Sequence, residues 1–167
     1  SVRFDNAVLL NVHGAFSAPG TIGLPILFTR RDASDAWNGL YVQAGGSAAM
    51  SYATVEHASS GSGGYGFYGN TVLPSLSNCT FRYNNYGLYL TGIAGALLNQ
   101  ANTFTSNVTN AVLFNNCSAP TIANQTATGH GTAFRLQGCP NFHLGTGNAI
   151  TGNTWALTID PSSFSRT

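Results

Sequence analysis

Five carboxylates are all the acid this 167-residue chain possesses: Asp5, Asp32, Asp35, Glu56 and Asp160. Carboxylates in pairs can share general acid and base work across a bond or can hold a calcium ion, so their spacing is the first chemical question. Asp32, Asp35 and Glu56 lie close enough in the chain to converge, with Arg30, Arg31 and His57 beside them, and they form the candidate catalytic set. The run from Arg30 to Asp35 also reads as a solvated loop whose charges pair locally, and an isolated charge cluster is weak ground for catalysis. His13, His57, His130 and His143 have no ligand-like spacing to one another or to cysteine, so no metal and no cofactor is implied. The Gly-Ser stretch from Ser59 to Gly64 lacks the Lys and the following helix of a phosphate loop.

Residues like these act only where the chain places them, and the placing elements recur. Cys79, Asn102, Gln125 and Asn148 are spaced 23 apart, as are Phe81, Phe104, Ala127 and Ile150, and as are Asn84, Asn107, His130 and Asn153. A fixed period in the twenties, polar in one phase and apolar in another, marks a solenoid of stacked coils. Stacked amides can hydrogen-bond along the axis, and Asn tolerates the left-handed backbone that tight bends need. His130 reads as a substitute within that ladder rather than as a metal ligand.

Between the columns lies a short strand of period two. Taking Leu40, Phe67, Leu88, Val112, Phe134 and Leu157 as its inward residues, the steps are 27, 21, 24, 22 and 23. Six rungs follow, and the segment before Trp37 supplies at least one more. Strands that present an apolar residue in the same phase bury it by stacking in parallel about 4.8 Å apart, giving a cylinder roughly 30 Å long. Its coil should be right-handed. A second strand in each coil ends near Phe81, Phe104, Ala127 and Ile150, and a third lies near Leu76, Leu98, Ile122 and Leu144. The fold class is therefore all-β, a right-handed single-stranded parallel β-helix of about 6–7 coils of roughly 23 residues. It reads as one domain, with an N-terminal coil and loop over 1–36, regular coils over 37–159 and a tail over 160–167.

This register makes two further predictions. The residue after each inward anchor points outward, giving Tyr41, Tyr68, Tyr89, Leu113, Arg135 and Thr158. With Tyr65 and Tyr86 at the starts of the same strands, Tyr41, Tyr68 and Tyr89 form an exposed amphipathic strip suited to sugar stacking or a protein interface, with Arg135 further along. Tyrosines also stabilise sheet surfaces merely by pairing across strands. Cys117 and Cys139 sit three residues past equivalent inward residues, with Cα atoms about 5 Å apart in adjacent coils, which permits a disulfide. Parallel side chains make that geometry demanding, and buried thiols also fill such corners as small apolar groups. Cys79 should remain outside any bridge.

Only 7% of residues are charged and the net charge is +1. The scattered arginines make no stripe that could follow a phosphate backbone, so nucleic acid is not expected as a partner. No apolar run is long enough to span a bilayer. The chain opens at Ser1 without a basic and apolar leader, which suits a mature product or an excised domain. Sequons stand at Asn78, Asn107, Asn116 and Asn124.

The stretch from Leu76 to Leu90 and its weaker copies, together with Gly14 to Thr29 and Trp37 to Leu40, resembles the right-handed parallel β-helix repeat proteins of the pectate-lyase-like superfamily. The likeness is strongest to secreted and cell-surface members. It implies an extracellular or cell-surface location and leaves three roles open. The leading one is a non-catalytic module of a larger protein, acting as scaffold, adhesive face or carbohydrate-contacting surface. A polysaccharide lyase or hydrolase using Asp32, Asp35 and Glu56 is a second. A filament subunit joined end to end through uncapped coils is a third, with flanking domains the alternative cover for those ends.

Overall fold

A computed structural model describes residues 1–61 and 63–160. The tail expected beyond residue 160 lies outside them. Every regular element among the described residues is a strand, and every strand pairing is parallel. Seven strands form a first face: Val2–Phe4, Ile26–Arg30, Ala53–Glu56, Thr80–Arg82, Asn102–Thr105, Gln125–Thr128 and Ala149–Thr151. Seven more form a second: Leu9–Val12, Gly39–Val42, Tyr65–Asn70, Tyr86–Thr91, Asn110–Asn115, Thr132–Gln137 and Trp155–Ile159. Each circuit of the chain adds one rung to both of these sheets.

The register is the one the periodicity predicts. Phe81 pairs with Phe104, Phe104 with Ala127 and Ala127 with Ile150. On the second face Leu40, Phe67, Leu88, Val112, Phe134 and Leu157 follow one another in the same way. Their side chains fill the interior, where Phe81 and Phe104 stack with ring centroids 5.4 Å apart. Trp37 closes the early coils: it is fully buried, Phe4 stacks on it at 4.2 Å, and its indole N–H donates to the Glu56 carbonyl at 2.8 Å. Outward positions of the first face carry threonine columns, Thr54, Thr80, Thr103 and Thr126 in one and Thr105, Thr128 and Thr151 in the other. Stacked β-branched side chains cover a sheet surface without charge, which accounts for the low charge content.

The third face departs from expectation. Leu76 does not pair with Leu98: Ala15–Pro19, Ser47–Ser51 and Ser75–Ser77 form one three-stranded sheet, while Leu97–Leu98, Thr121–Ile122 and His143–Leu144 form another. Between these two sheets the chain passes Gly92 and Gly95, both with positive φ, before Leu97 opens the second. The ladder is thereby interrupted on this side alone.

At the bends, backbone N–H groups leave the sheets and need other acceptors. The amide columns provide them. Asn84 N–H donates to Asn107 Oδ1 at 3.1 Å, and Asn107 Nδ2 donates to the Phe81 carbonyl at 3.0 Å. Cys79 N–H donates to Asn102 Oδ1 at 3.1 Å and Gln125 N–H to Asn148 Oδ1 at 3.0 Å. Each side chain thus serves the backbone one coil earlier. The left-handed residues are not these amides but their neighbours: His57, Tyr83, Ser106, Gly129 and Gly152 all have positive φ just before or in line with the third column. That corrects the expectation that the ladder amides themselves take the left-handed conformation.

His130 joins the ladder through Nδ1, which accepts the Asn107 N–H at 3.0 Å. Its proton then sits on Nε2, which is buried with no partner among the described residues. Burial pushes the ring below its ordinary value, and the hydrogen bonds with Asn107 and Phe104 offset this only in part. With the folded value under the unfolded one of 6.5, the unfolded chain takes up the proton first. Stability from this site is complete above about pH 6.5 and is lost as pH falls through the folded value. His130→Asn keeps an acceptor that does not titrate, so its melting temperature should fall less between pH 7 and pH 5 than that of the native chain. Parallel pH profiles would remove His130 from the account.

Candidate functional site

Alternation along the second face sends the residue after each inward anchor outward, and parallel stacking collects those residues into one column and the strand-opening residues three positions earlier into another. One column runs Tyr41, Tyr68, Tyr89, Leu113, Arg135 and Thr158. The other runs Tyr65, Tyr86, Asn110, Thr132 and Trp155. Five tyrosines therefore meet on three adjacent rungs. Tyr41 lies flat on Tyr68 with centroids 4.0 Å apart, and Tyr89 meets Tyr68 edge-on at 4.9 Å. Tyr65 touches Tyr68, Tyr86 and Tyr89 at 5.1, 5.2 and 5.2 Å. The rings are half-buried by one another rather than freely exposed, because each covers part of the next. Burial and a hydrogen bond with Tyr41 push the Tyr68 hydroxyl above its ordinary value, and burial does the same at Tyr65. Both stay protonated and can donate. Asn115 Nδ2 donates to the Tyr89 hydroxyl at 2.9 Å, fixing that ring at the edge of the cluster.

The acids are arranged differently. Asp5 pairs with Arg31 at 2.6 Å, Arg31 with Asp32 at 3.2 Å, and Asp35 accepts the Asp32 N–H at 3.1 Å. These contacts tie the loop to itself and to the first coil. Asp32 and Glu56 do line one open cleft of about 330 Å³ with Arg3, Arg30 and His57, but Asp35 is not among its walls. Glu56 is buried and engaged: Arg82 donates to it at 2.7 Å and Thr29 at 2.9 Å. Burial alone would raise its carboxyl, yet the bonds from Arg82 and Thr29 outweigh this and hold it below the ordinary carboxylate range. An ionised, doubly bonded carboxylate is a poor general acid at neutral pH. His57 is pushed down by burial and by Arg30, and its ring stacks on Tyr83 at 5.3 Å. Among the described residues no three His, Cys, Asp or Glu side chains stand together as a metal-binding group.

The remaining sequence candidates are structural in their surroundings. Cys117 and Cys139 stand as thiols and not as a disulfide. Cys117 N–H donates to Cys139 Sγ at 3.4 Å, so the sulfur does at this corner what the amides do at the others. Its own thiol donates to the Leu90 carbonyl, and that of Cys139 to the Phe114 carbonyl. Side chains stacked in parallel do not present the roughly perpendicular dihedral that a disulfide needs. The hydrogen bond with Cys139, together with burial, keeps the Cys117 thiol above its ordinary value. Of the four sequons, Asn107 is fully buried in the ladder, while Asn78, Asn116 and Asn124 are exposed. Arg135, expected on the outward face, is there and contacts Asp160 at 3.4 Å.

Two features escaped the sequence reading. The Glu56 partner is Arg82, one coil on, rather than Arg30 or Arg31. The matching phase, Arg82 lying 26 residues after Glu56, was the available signal. The column through Asn110 and Trp155 was likewise present in the register but began one residue before the strands considered.

A three-faced solenoid of parallel strands with stacked polar corners defines a β-helix protein. Residues 24–163 match the family model described as right handed beta helix region, and the chain belongs to that family. The comparisons with curated proteins and with solved structures gave no match.

Glu56→Gln should lower stability at neutral pH by about 1–2 kcal/mol, through weaker bonds from a half-exposed Arg82. Because the folded value lies below the unfolded one, the native advantage is present above about pH 4.5 and shrinks as pH falls further. Urea melts of both proteins at several pH values check this. For the cysteines, denaturation without reductant should leave all three open to alkylation, and a requirement for reductant at Cys117 and Cys139 would reveal a bridge.

Proposed function

We propose that this chain is a non-catalytic β-helix module of an extracellular or cell-surface protein, contacting carbohydrate through the outward side of its second face. The carrying observation is the five-tyrosine cluster of Tyr41, Tyr65, Tyr68, Tyr86 and Tyr89, with ring centroids 4.0–6.0 Å apart. Clustered rings with hydroxyl rims offer a flat apolar platform and hydrogen bonds together, which is what a pyranose face requires. The half-buried packing favours this use, since rings already held in place lose little freedom on binding. A rigid solenoid supplies the same platform without a moving part. The state of the acids supports a non-catalytic role, because Glu56 is committed to Arg82 and Thr29 and the loop acids to Arg31 and to each other.

Titration with soluble neutral and acidic oligosaccharides tests the reading. Tyr89→Ala should weaken binding about tenfold, in line with loss of one stacked ring, with the melting temperature followed in parallel to separate loss of fold from loss of contact. Affinity that survives Tyr89→Ala and Tyr68→Ala alike would overturn it. So would turnover of a polysaccharide that disappears in Asp32→Asn or Glu56→Gln.

A further inference from the structure

Beyond the tyrosines the same face changes character. Leu113 takes the tyrosine position on the next rung, and from that rung onward a cleft of about 310 Å³ opens, lined by Val108, Asn110, Thr132, Arg135 and Trp155 among others. Two nitrogens bordering it, Asn110 Nδ2 and Arg135 Nε, are buried and have no hydrogen-bond partner among the described residues. Asn110 itself is 1% exposed. An unmet buried donor costs about 1–3 kcal/mol, so two on residues that line one cleft are an unusual concentration of unsatisfied polarity. Alongside them stand Val108 and Trp155, 70% and 64% exposed. Large apolar side chains beside convergent polar groups are the make-up of a ligand site.

The chemistry of the occupant follows from what is missing. Both unmet groups are N–H donors, so the ligand supplies an acceptor. The guanidinium charge of Arg135 is already met by Asp160 at 3.4 Å, so the cleft carries donors without net charge, and the Asp160 carboxylate disfavours a second anion. A neutral carbonyl oxygen, with two lone pairs for two donors, fits this better than a carboxylate. The apolar walls suit a methyl group and the face of a ring.

We propose that the cleft is a subsite for an acetamido sugar, its carbonyl oxygen taking the bonds of Asn110 and Arg135 and its methyl group and ring packing against Val108 and Trp155. This rests on the carbohydrate-contacting reading and extends it, since the subsite continues the tyrosine face over the next three rungs. As the side chains stand, neither nitrogen meets solvent. Binding therefore requires side-chain rotation at the cleft to uncover them, and Val108 and Trp155 on its walls are largely exposed.

The chain has two tryptophans, and Trp37 is fully buried in the early coils, so a ligand-induced emission change reports Trp155. The test titrates the native chain with an N-acetylglucosamine tetramer and with a glucose tetramer of the same linkage. Binding of the acetylated tetramer should be about tenfold tighter or more, as expected for the added carbonyl bonds and methyl contact, and should shift tryptophan emission. Arg135→Gln and Trp155→Ala should each reduce that preference while leaving the melting temperature near native, both residues being outside the core. Equal affinity for the two tetramers overturns the acetamido subsite and leaves the tyrosine platform standing. Tight binding without a change in tryptophan emission places the sugar elsewhere and overturns it as well. Failure of both tetramers, and of every other glycan, to bind removes the carbohydrate reading together with the subsite.

Discussion

The backbone N–H at each bend of the coil has left one sheet and not yet entered the next, and meeting that donor governs the molecule. Cys79, Asn84, Asn107, Gln125 and His130 all hand their N–H to a side chain of the following coil. Left unmet, each would cost about 1–3 kcal/mol, a substantial share of the stability of a domain this size. An acceptor can reach back only if the next coil lies directly above, at the same phase. The ladder therefore fixes register as well as holding it, and a slip of one residue would break every corner at once while turning the core strands inside out.

Chemistry at the corners is correspondingly permissive in type and strict in place. An amide, an imidazole nitrogen and a thiol sulfur all serve, the last two at His130 and Cys139. What they share is an acceptor on a short side chain. The bend itself falls to the adjoining residue, which is why Tyr83 and Ser106 take positive φ while Asn84 and Asn107 do not. Small residues are needed just inside the corner: a Cβ at Gly87 would lie 2.5 Å from the Ala111 carbonyl oxygen and 3.0 Å from Asn107 Nδ2. The ladder and the tight start of the strand are one packing problem.

This explains what could be read from the chain without coordinates. The columns through Asn84 and Phe81 repeat at a constant interval because the same donor and the same interior recur in every coil, so register, rung count and the inward residues were legible. The third face was not. Its strands fall into two separate sheets, and nothing in the spacing of Leu76 and Leu98 carries that information. Side-chain partners across rungs were legible only in principle. Glu56 and Arg82 share a phase, yet no partner for Glu56 was read from the sequence. The column of Tyr41, Tyr68 and Tyr89 follows from alternation, and Tyr65 and Tyr86 from their place at the strand starts, whereas the mutual burial of the rings depends on ring rotation, on which spacing is silent.

Alternation also separates the burden of folding from that of recognition. On the second face Leu88, Val112 and Phe134 are constrained by the interior, while Tyr89, Leu113 and Arg135 beside them stack in the same register outside the core cluster, Leu113 itself being covered. Outward chemistry can thus change from rung to rung at little cost, and it does: paired aromatics over the early rungs, then Leu113 together with Asn110 and its unmet donor on one rung, then Arg135 on the next and Trp155 on the one after. Rungs about 4.8 Å apart set these groups along a straight axis. A linear ligand lying on that axis would meet them in sequence, each rung contributing a separate contact, so affinity would grow with ligand length until the face is covered. The rigidity that the corner ladders impose is what keeps those contacts in line.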